Sequence, residues 1–437
     1  MNARSLVFMI LAVVGVTLVS VTGCTDRESP LDDGFASDQV PFQVTTSFSA
    51  LNLNPLGDTP FRIISVAWAS HSPLTESQPP FPVLYLLHDF GADGDYYTRY
   101  NLQATLDDMY TKGEIGRMLV VTIGANNSFG GSFYRNSPSS GRYEDVMTEA
   151  IDFVENSGTF NVYTNGGKDA RAISGHGMGG YGAVRYAMEN PSMFSSVSSM
   201  SGPLAFDEAW ADMMADKIFE ENSLTAGDSA AYAALAPDPS KPFTSLMFAM
   251  SAAFSPRNLE PFSNIGTCRI CANPSQVPCL SFRDCSPCSI FTIVPLAKTT
   301  FIFERATGNR APCSSPVVPQ PIGVDLPFDW FSNRVDSVWN LWYGCDARSY
   351  LNENPGVLDG IPVYFDCGVN DEYGFLAQNE AFRDALQQAG KTAGQDFFYE
   401  EYSGYSALPA GHDELIGERL RKVIKFHSDR LSRPPGS

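Results

Sequence analysis

Continuous apolar runs separated by helical patterns dominate the chain from residue 81 onwards. The segment Phe81–Leu87 (FPVLYLL) carries no charge, which is typical of a strand buried on both faces of a mostly parallel sheet. Further runs of this kind are Met118–Ile123, Ala170–Ser174, Phe194–Met200 and Ile361–Phe365. Helical periodicity is found at Asn101–Lys112, Tyr143–Asn156, Tyr181–Glu189, Gln378–Ala389 and Glu414–Ser432. Strands alternating with helices predict an α/β fold with a doubly wound sheet.

Three stretches depart from this alternation. Residues Val44–Ala69 alternate apolar and polar positions around a turn (PLGD, 55–58), which predicts paired entry strands. Glu208–Ala253 is helical in pattern and rich in Ala and Met, as expected of a cap over a site. After it, a segment at about 267–321 is rich in Cys and Pro, with hairpin material only at 294–303. Without a hydrophobic period this insertion would need disulfides to hold its shape.

The N-terminus has the pattern of a targeting segment. Arg4 stands in a short basic start, Leu6–Val19 is apolar, and VTGC (21–24) resembles a bacterial lipobox. Such a signal makes Cys24 the lipidated N-terminus of an extracytoplasmic protein of the bacterial cell envelope, held at a membrane by its acyl chains. An uncleaved anchor helix or a simple secretory peptide are the alternatives.

The predicted organisation has five parts. They are a signal peptide at 1–23, a tether at 24–39, the first part of the core at 40–203, a cap with the Cys-rich insertion at 204–350, and the second part of the core at 351–432.

Charge and composition exclude one class of partner. The formal net charge of −20 and the absence of clustered Lys and Arg argue against nucleic-acid binding, which draws its affinity from such clusters. Nothing in the predicted core signals a nucleotide, a flavin or a metal, so we expect no cofactor.

Eight cysteines follow Cys24, at positions 268, 271, 279, 285, 288, 313, 345 and 367. In an oxidising compartment an even number suggests disulfides. The two Cys-x-x-Cys pairs, 268/271 and 285/288, are also compatible with a four-thiolate zinc site. The sequence leaves both alternatives open.

A glycine-rich turn follows the apolar run Ala170–Ser174. It reads GHGMGG (175–180) and leads into a helical pattern. In α/β-hydrolases a Gly-x-Ser-x-Gly motif places the nucleophilic serine on such a strand-to-helix turn. Here Gly177 stands at the serine position, which predicts a nucleophile elbow without its nucleophile.

Two more residues complete the chain order nucleophile, acid, histidine that α/β-hydrolases share. Asp371 follows the run Ile361–Phe365, where the acid that orients the histidine is expected, and Asp366 and Glu372 compete with it. His412 precedes the last helix, as the catalytic histidine should.

The loop HDFG (88–91) follows the first apolar run and is expected to form the oxyanion hole. Its backbone N–H at Phe90, together with that of Met178 after the elbow, would point at a developing oxyanion.

These segments resemble the esterase family that includes esterase D (S-formylglutathione hydrolase), feruloyl esterases and the mycolyltransferase antigen 85 proteins. The resemblance covers about 44–430 apart from the insertion, and its segments are NPLGD (54–58), PVLYLLH (82–88), the elbow (175–183), AFSP (253–256), DLPFD (325–329), FDCG (365–368) and GHD (411–413). It implies an α/β-hydrolase fold and maps the catalytic roles onto Gly177, Asp371 and His412. The chain departs from the family pattern at Gly177 and at Asp89, which replaces the glycine usual after the loop histidine. A carboxylate there could perturb the oxyanion hole.

Two functional hypotheses remain. Without an oxygen at residue 177, the chain would be inactive or weakly active and would bind an acyl or carbohydrate ester, because loss of a triad serine costs roughly 10⁶ in turnover. Alternatively, it is a carboxylic-ester hydrolase in which His412 activates water, or a serine enzyme whose recorded residue is a variant or a sequence error.

Overall fold

The computed structural model describes residues 43–49, 61–70, 79–257, 300–303, 322–404 and 410–435. The strands are β1 (Gln43–Ser49), β2 (Phe61–Ala69), β3 (Val83–Leu87), β4 (Met118–Ile123), β5 (Asn136–Ser137), β6 (Gly141–Arg142), β7 (Arg171–Gly175), β8 (Ser196–Met200), β9 (Pro256–Arg257), β10 (Thr300–Phe303), β11 (Ile322–Asp325), β12 (Val363–Gly368) and β13 (Phe397–Tyr402). The α-helices are α1 (Leu102–Thr111), α2 (Tyr143–Asn156), α3 (Met178–Glu189), α4 (Glu208–Glu221), α5 (Ser229–Ala233), α6 (Pro242–Phe254), α7 (Asp336–Cys345), α8 (Ala347–Glu353), α9 (Phe375–Gln388) and α10 (Ile416–Ser428).

A central sheet of eight strands runs through the described part of the chain in the order β1-β2-β4-β3-β7-β8-β12-β13. The strands from β4 to β13 in this order pair in parallel, whereas β1 and β2 pair antiparallel at one edge. This strand order is that of the α/β-hydrolase fold, so the predicted fold class is confirmed. Loops at the carboxyl ends of the parallel strands meet at one edge of the sheet, where sites of open α/β folds lie.

Alternate residues of β3 show why its sequence is apolar throughout. Leu84 and Leu86 belong to a core cluster that contains residues of α1 and α10. Val83, Tyr85 and Leu87 belong to a second cluster that contains residues of α2, α3 and α9. Because successive side chains of a strand point to opposite faces, both faces of the sheet are covered by helices.

The apolar runs predict the buried strands of the sheet to within a few residues, but β13 was not predicted. Its sequence, FFYEEY, contains two glutamates, and within the strand only Phe397 is fully buried. β13 lies at the edge of the sheet with one parallel neighbour, so it does not need the continuous apolar run of a central strand.

The described part of residues 204–350 is mostly helical, with α4, α5 and α6 in the stretch Glu208–Ala253 that was predicted to be helical, and with α7 and α8 beyond it, which were not predicted. It contains α4 to α8 and a small sheet in which β11 lies between β10 and β9. Helix α6 is buried along nearly its whole length. The predicted hairpin at 294–303 is described only at β10, which pairs with β11.

Several predictions fall outside the described residues, among them the signal peptide, the tether, the turn at 55–58 and most of the Cys-rich insertion. Of the eight cysteines after Cys24, Cys345 and Cys367 are described and carry free thiols, so the disulfide expectation does not hold for these two. In the portion of the chain that the structure covers, every helix is too short or too polar to cross a membrane.

Candidate active site

The elbow forms where β7 gives way to α3. Gly177, between them, has φ +49° and ψ −114°, a conformation that residues with a side chain adopt only under strain. Its N–H donates to the carbonyl of Met200 on the neighbouring strand at 2.8 Å. A Cβ on Gly179 would overlap the backbone of Leu87, so the small residues of the motif allow α3 to pack closely on the sheet.

His412 and Asp371 lie together at the carboxyl edge of the sheet. Nδ1 of His412 donates to Oδ2 of Asp371 at 2.8 Å, and both side chains are buried. Oδ1 of Asp371 also accepts the N–H groups of Tyr373 and Phe375 at 3.1 and 3.3 Å. Asp371 is thus fixed by the start of α9 and orients the imidazole of His412.

The two competing acids have other partners. Asp366 forms a buried ion pair with Arg419, whose Nε and Nη2 lie 3.0 and 2.5 Å from its Oδ1. Glu372 accepts the backbone N–H of His412 at 2.9 Å and so holds the loop rather than the ring. Of the three candidates, Asp371 is the one that contacts the imidazole.

Asp89 occupies the space that a serine at residue 177 would fill. A Cβ built on Gly177 would overlap the carboxylate of Asp89. Oδ1 of Asp89 accepts the N–H of Met178 at 2.7 Å, and Oδ2 lies 3.1 Å from Nε2 of His412. The predicted oxyanion donor and the face of the histidine that would receive the serine proton are therefore both bonded to one carboxylate.

The loop that carries Asp89 is held by its histidine. Nδ1 of His88 donates to the carbonyl of Asp89 at 2.8 Å, and Nε2 accepts the N–H of Ala125 at 2.7 Å. Phe90, the other predicted oxyanion-hole residue, follows Asp89 and lines the same cavity as Met178 and His412. The predicted loop thus reaches the elbow, with the Asp89 carboxylate between them.

Opposite charges fix the protonation of the central pair. Burial alone would lower the pKa of His412, but the charge of Asp89 and the hydrogen bond to Asp371 outweigh it and raise that pKa well above its usual value. Burial would likewise raise the pKa of Asp89, but the charge of His412 lowers it overall. The imidazole is therefore held as an imidazolium between two carboxylates.

His176 lies beside this pair. Its Nε2 donates to the carbonyl of His412 at 3.0 Å, and its Nδ1 accepts the hydroxyl of Tyr96 at 2.9 Å. Burial lowers the pKa of His176 to about 3, so its ring is neutral. Asp413 also lies near His176, with its Oδ1 3.9 Å from Nδ1 of the ring. From the sequence, His176 is recognisable only as part of the glycine-rich turn, and no role was predicted for Asp413.

A cavity of about 210 Å³ opens onto these groups. Aromatic side chains form much of its wall, Leu246 of α6 contributes from the predicted cap, and Arg99 stands exposed at its rim. The aromatic lining residues are Phe90, Tyr96, Tyr100, Phe133, Tyr373 and Phe375.

Part of the chain is similar in sequence to known esterases. Residues 68–244, which include β3, the Asp89 loop and the elbow, match the model of the Esterase family. The chain is related to the esterase family. Esterase Rv1288 of Mycobacterium tuberculosis is 30% identical to it over 128 residues, which are 28% of this chain and 25% of that protein. The match thus spans about a quarter of the length of this relative.

Solved esterase structures are also similar to the chain at low identity. A ferulic acid esterase has a TM-score of 0.48 and 18% identity, with 89% of this chain and 97% of that chain covered. The S-formylglutathione hydrolase FrmB of Staphylococcus aureus has a TM-score of 0.45 and 14% identity, with 88% and 98% covered. The strand order, rather than these similarities, assigns the fold.

Proposed function

We propose that this esterase-related protein binds an acyl or carbohydrate ester in its cavity and does not form an acyl-enzyme. The observation that supports this most is the position of the Asp89 carboxylate, bonded to both Met178 N–H and His412 Nε2. Acyl transfer needs a nucleophilic oxygen, a neutral base and free oxyanion donors. Asp89 takes the place of the nucleophile, pairs with the base His412 and occupies one predicted oxyanion donor, the N–H of Met178.

Neighbouring hydroxyls do not replace the missing serine. Ser174, at the end of β7, is buried and accepts a hydrogen bond from Ser198 at 2.6 Å. Ser201 is buried and accepts a hydrogen bond from Arg419 at 2.8 Å. Both hydroxyls are thus engaged by groups other than His412.

The same contacts bear on the alternative in which His412 activates water. A general base needs a free lone pair, and Nε2 of His412 is paired with Asp89. A charged imidazolium cannot accept a proton from water. The geometry therefore favours ligand binding over this route to hydrolysis.

The cavity suits a ligand with a flat apolar face. Aromatic rings such as Tyr100 and Tyr373 offer apolar surface to an acyl chain or a sugar ring, while their hydroxyls and Arg99 offer polar contacts. This composition supports the proposed ligand class, an acyl or carbohydrate ester.

Binding is tested by calorimetric titration with methyl ferulate, acetylated xylobiose and 4-nitrophenyl acetate. We expect at least one of these probes to bind, and Tyr100→Ala to weaken its binding by about tenfold or more, or about 1.4 kcal/mol, because tyrosines are enriched among the residues whose truncation costs most binding energy. Tyr110→Ala, outside the cavity, is the matched control. Binding of none of the three, or equal binding by Tyr100→Ala, would contradict the proposal. Hydrolysis that disappears in His412→Ala would support the water-activating alternative instead.

For the cellular setting, we propose a lipoprotein of the bacterial cell envelope, anchored outside the cytoplasm through Cys24. The support is the lipobox-like VTGC after an apolar run. The native chain is expected to partition into the detergent phase of a Triton X-114 extract, and Cys24→Ser to move to the aqueous phase. Native protein in the aqueous phase would rule out the anchor.

A further inference from the structure

We propose that Asp89, His176, His412 and Asp413 form a binding site for a divalent transition-metal ion of the Zn²⁺ type. The sequence predicted no metal in the core. One potential ligand atom from each of these residues lies within 4.8 Å of all the others. They come from three separate segments, the loop after β3, the elbow and the loop before α10, which meet at the carboxyl edge of the sheet.

The spacing of the ligand atoms suits a single ion. Oδ2 of Asp89 lies 3.1 Å from Nε2 of His412 and 3.6 Å from Nδ1 of His176. Atoms bound tetrahedrally at about 2.0–2.2 Å from zinc lie about 3.3–3.6 Å from one another. Asp413 Oδ1 is 3.9 Å from Nδ1 of His176, and its side chain is 62% exposed, so it has room to turn towards an ion.

Both histidines carry the second hydrogen bond that metal ligands usually make. Metal-bound imidazoles donate their other N–H to a carboxylate or a backbone carbonyl, which fixes the tautomer and the ring orientation. His412 donates from Nδ1 to Asp371, and His176 donates from Nε2 to the carbonyl of His412. Since a carbonyl only accepts, the proton of this bond lies on Nε2 of His176, and Nδ1 is the ring nitrogen that faces Asp89 and Asp413.

One existing contact competes with a metal. The hydroxyl of Tyr96 donates to Nδ1 of His176 at 2.9 Å. Tyr96 lines the cavity and its hydroxyl is also within reach of that of Tyr100, at 3.4 Å. The Tyr96 hydroxyl can therefore turn away when an ion takes the lone pair of His176.

The charges around the cluster favour a cation. Asp89 and Asp371 contact His412 directly, and Asp413 is its neighbour in the chain. The guanidinium of Arg419 bonds the carbonyl of His412 but is paired with Asp366. A divalent ion in place of the proton on Nε2 would compensate more of this negative charge.

The donor set indicates the class of metal. Two imidazoles and two carboxylates suit zinc and neighbouring first-row ions, whereas calcium and magnesium prefer oxygen ligands throughout. Gly177 belongs to the same arrangement, because a side chain there would overlap Asp89. Glycine at residue 177, where a hydrolase has its serine, therefore leaves the space that the proposed metal ligand Asp89 occupies.

The test is equilibrium dialysis of the full chain against Zn²⁺, with bound metal counted by emission spectrometry, and titration with Co²⁺ followed by visible absorption. We expect a bound equivalent of zinc that is lost in His176→Ala. Because His176 is buried, Asp413→Asn provides a second variant at an exposed side chain, with affinity expected to fall about tenfold or more. Asp371→Asn should weaken binding about 10–100-fold, as loss of a hydrogen-bond partner of a metal-bound histidine does.

Asp95→Asn is the matched control, since it removes the same charge from an exposed position in the Asp89 loop, and it should bind zinc as the native chain does. Absence of bound zinc in the native chain would overturn the proposal. So would zinc that stays bound with equal affinity in both His176→Ala and Asp413→Asn. A cobalt spectrum showing only thiolate charge transfer would assign the metal to the cysteines at 268, 271, 285 and 288 and likewise overturn it.

Discussion

Replacing Asp89 by glycine and Gly177 by serine together is expected to make the chain a much faster ester hydrolase than the native protein. The serine supplies the nucleophile, and the removal of the carboxylate frees Nε2 of His412 and the N–H of Met178. A missing triad serine costs roughly 10⁶ in turnover, so the double variant should hydrolyse 4-nitrophenyl acetate at least about 10³-fold faster than the native chain.

Gly177→Ser alone is expected to remain inactive. Its Cβ would overlap the Asp89 carboxylate, and the positive φ of residue 177 adds strain that glycine avoids. The single variant should therefore also unfold at a lower temperature than the double variant, which thermal denaturation would show.

The control for the double variant is Asp89→Gly with Gly177→Ala, which opens the same space but has no hydroxyl. Equal rates in the serine and alanine forms would show that the elbow, Asp371 and His412 no longer form a working acyl-transfer site. A high rate in Gly177→Ser alone would show that Asp89 does not obstruct it.

The charge state of His412 is expected to depend on Asp89. Burial alone would lower the pKa of His412. In the native protein the carboxylates of Asp89 and Asp371 outweigh burial and raise this pKa, so the imidazolium stays charged. In Asp89→Gly, Asp371 is the one carboxylate that still contacts His412 directly. The effect of burial, which lowers the pKa of His412, is then offset less. The pKa of His412 should therefore fall, and its neutral form should appear at lower pH; ¹⁵N NMR of the ring measures this. Asp95→Asn, with its carboxylate outside the cluster, should leave the titration unchanged.

Much of the fold follows from the sequence because the central strands are apolar on both faces. Side chains of β3 (VLYLL) belong to two core clusters, one on each face of the sheet. A short run that is apolar at every position is typical of a buried strand or helix segment. The edge strand β13 has no such requirement and was not predicted. The start of α3 at Met178 was placed later, at Tyr181, because Gly179 and Gly180 are poor helix formers. Close packing on the sheet, which glycine permits, overrides that preference.

The part of the candidate site that follows from the order of residues along the chain was predictable from the sequence. Gly177, Asp371 and His412 each follow a buried strand or precede the last helix, and the structure brings Asp371 and His412 together. The sequence does not predict that the Asp89 carboxylate lies where the hydroxyl of a serine at residue 177 would lie. This position of Asp89 depends on a contact between segments about 90 residues apart in the chain, and the sequence shows only an unusual residue after the loop histidine. The neutral His176 beside it likewise depends on burial and on Tyr96.

The central claim is that the Asp89 carboxylate has taken the place of the serine hydroxyl as the partner of His412. The most direct measurement is the ¹⁵N NMR spectrum of the His412 ring in the metal-free native protein at about pH 8, where an ordinary histidine with a pKa of about 6.5 is neutral. We expect both ring nitrogens to carry a proton there, and Nε2 to lose its proton in Asp89→Gly. A neutral His412 ring in the native protein under these conditions would contradict it.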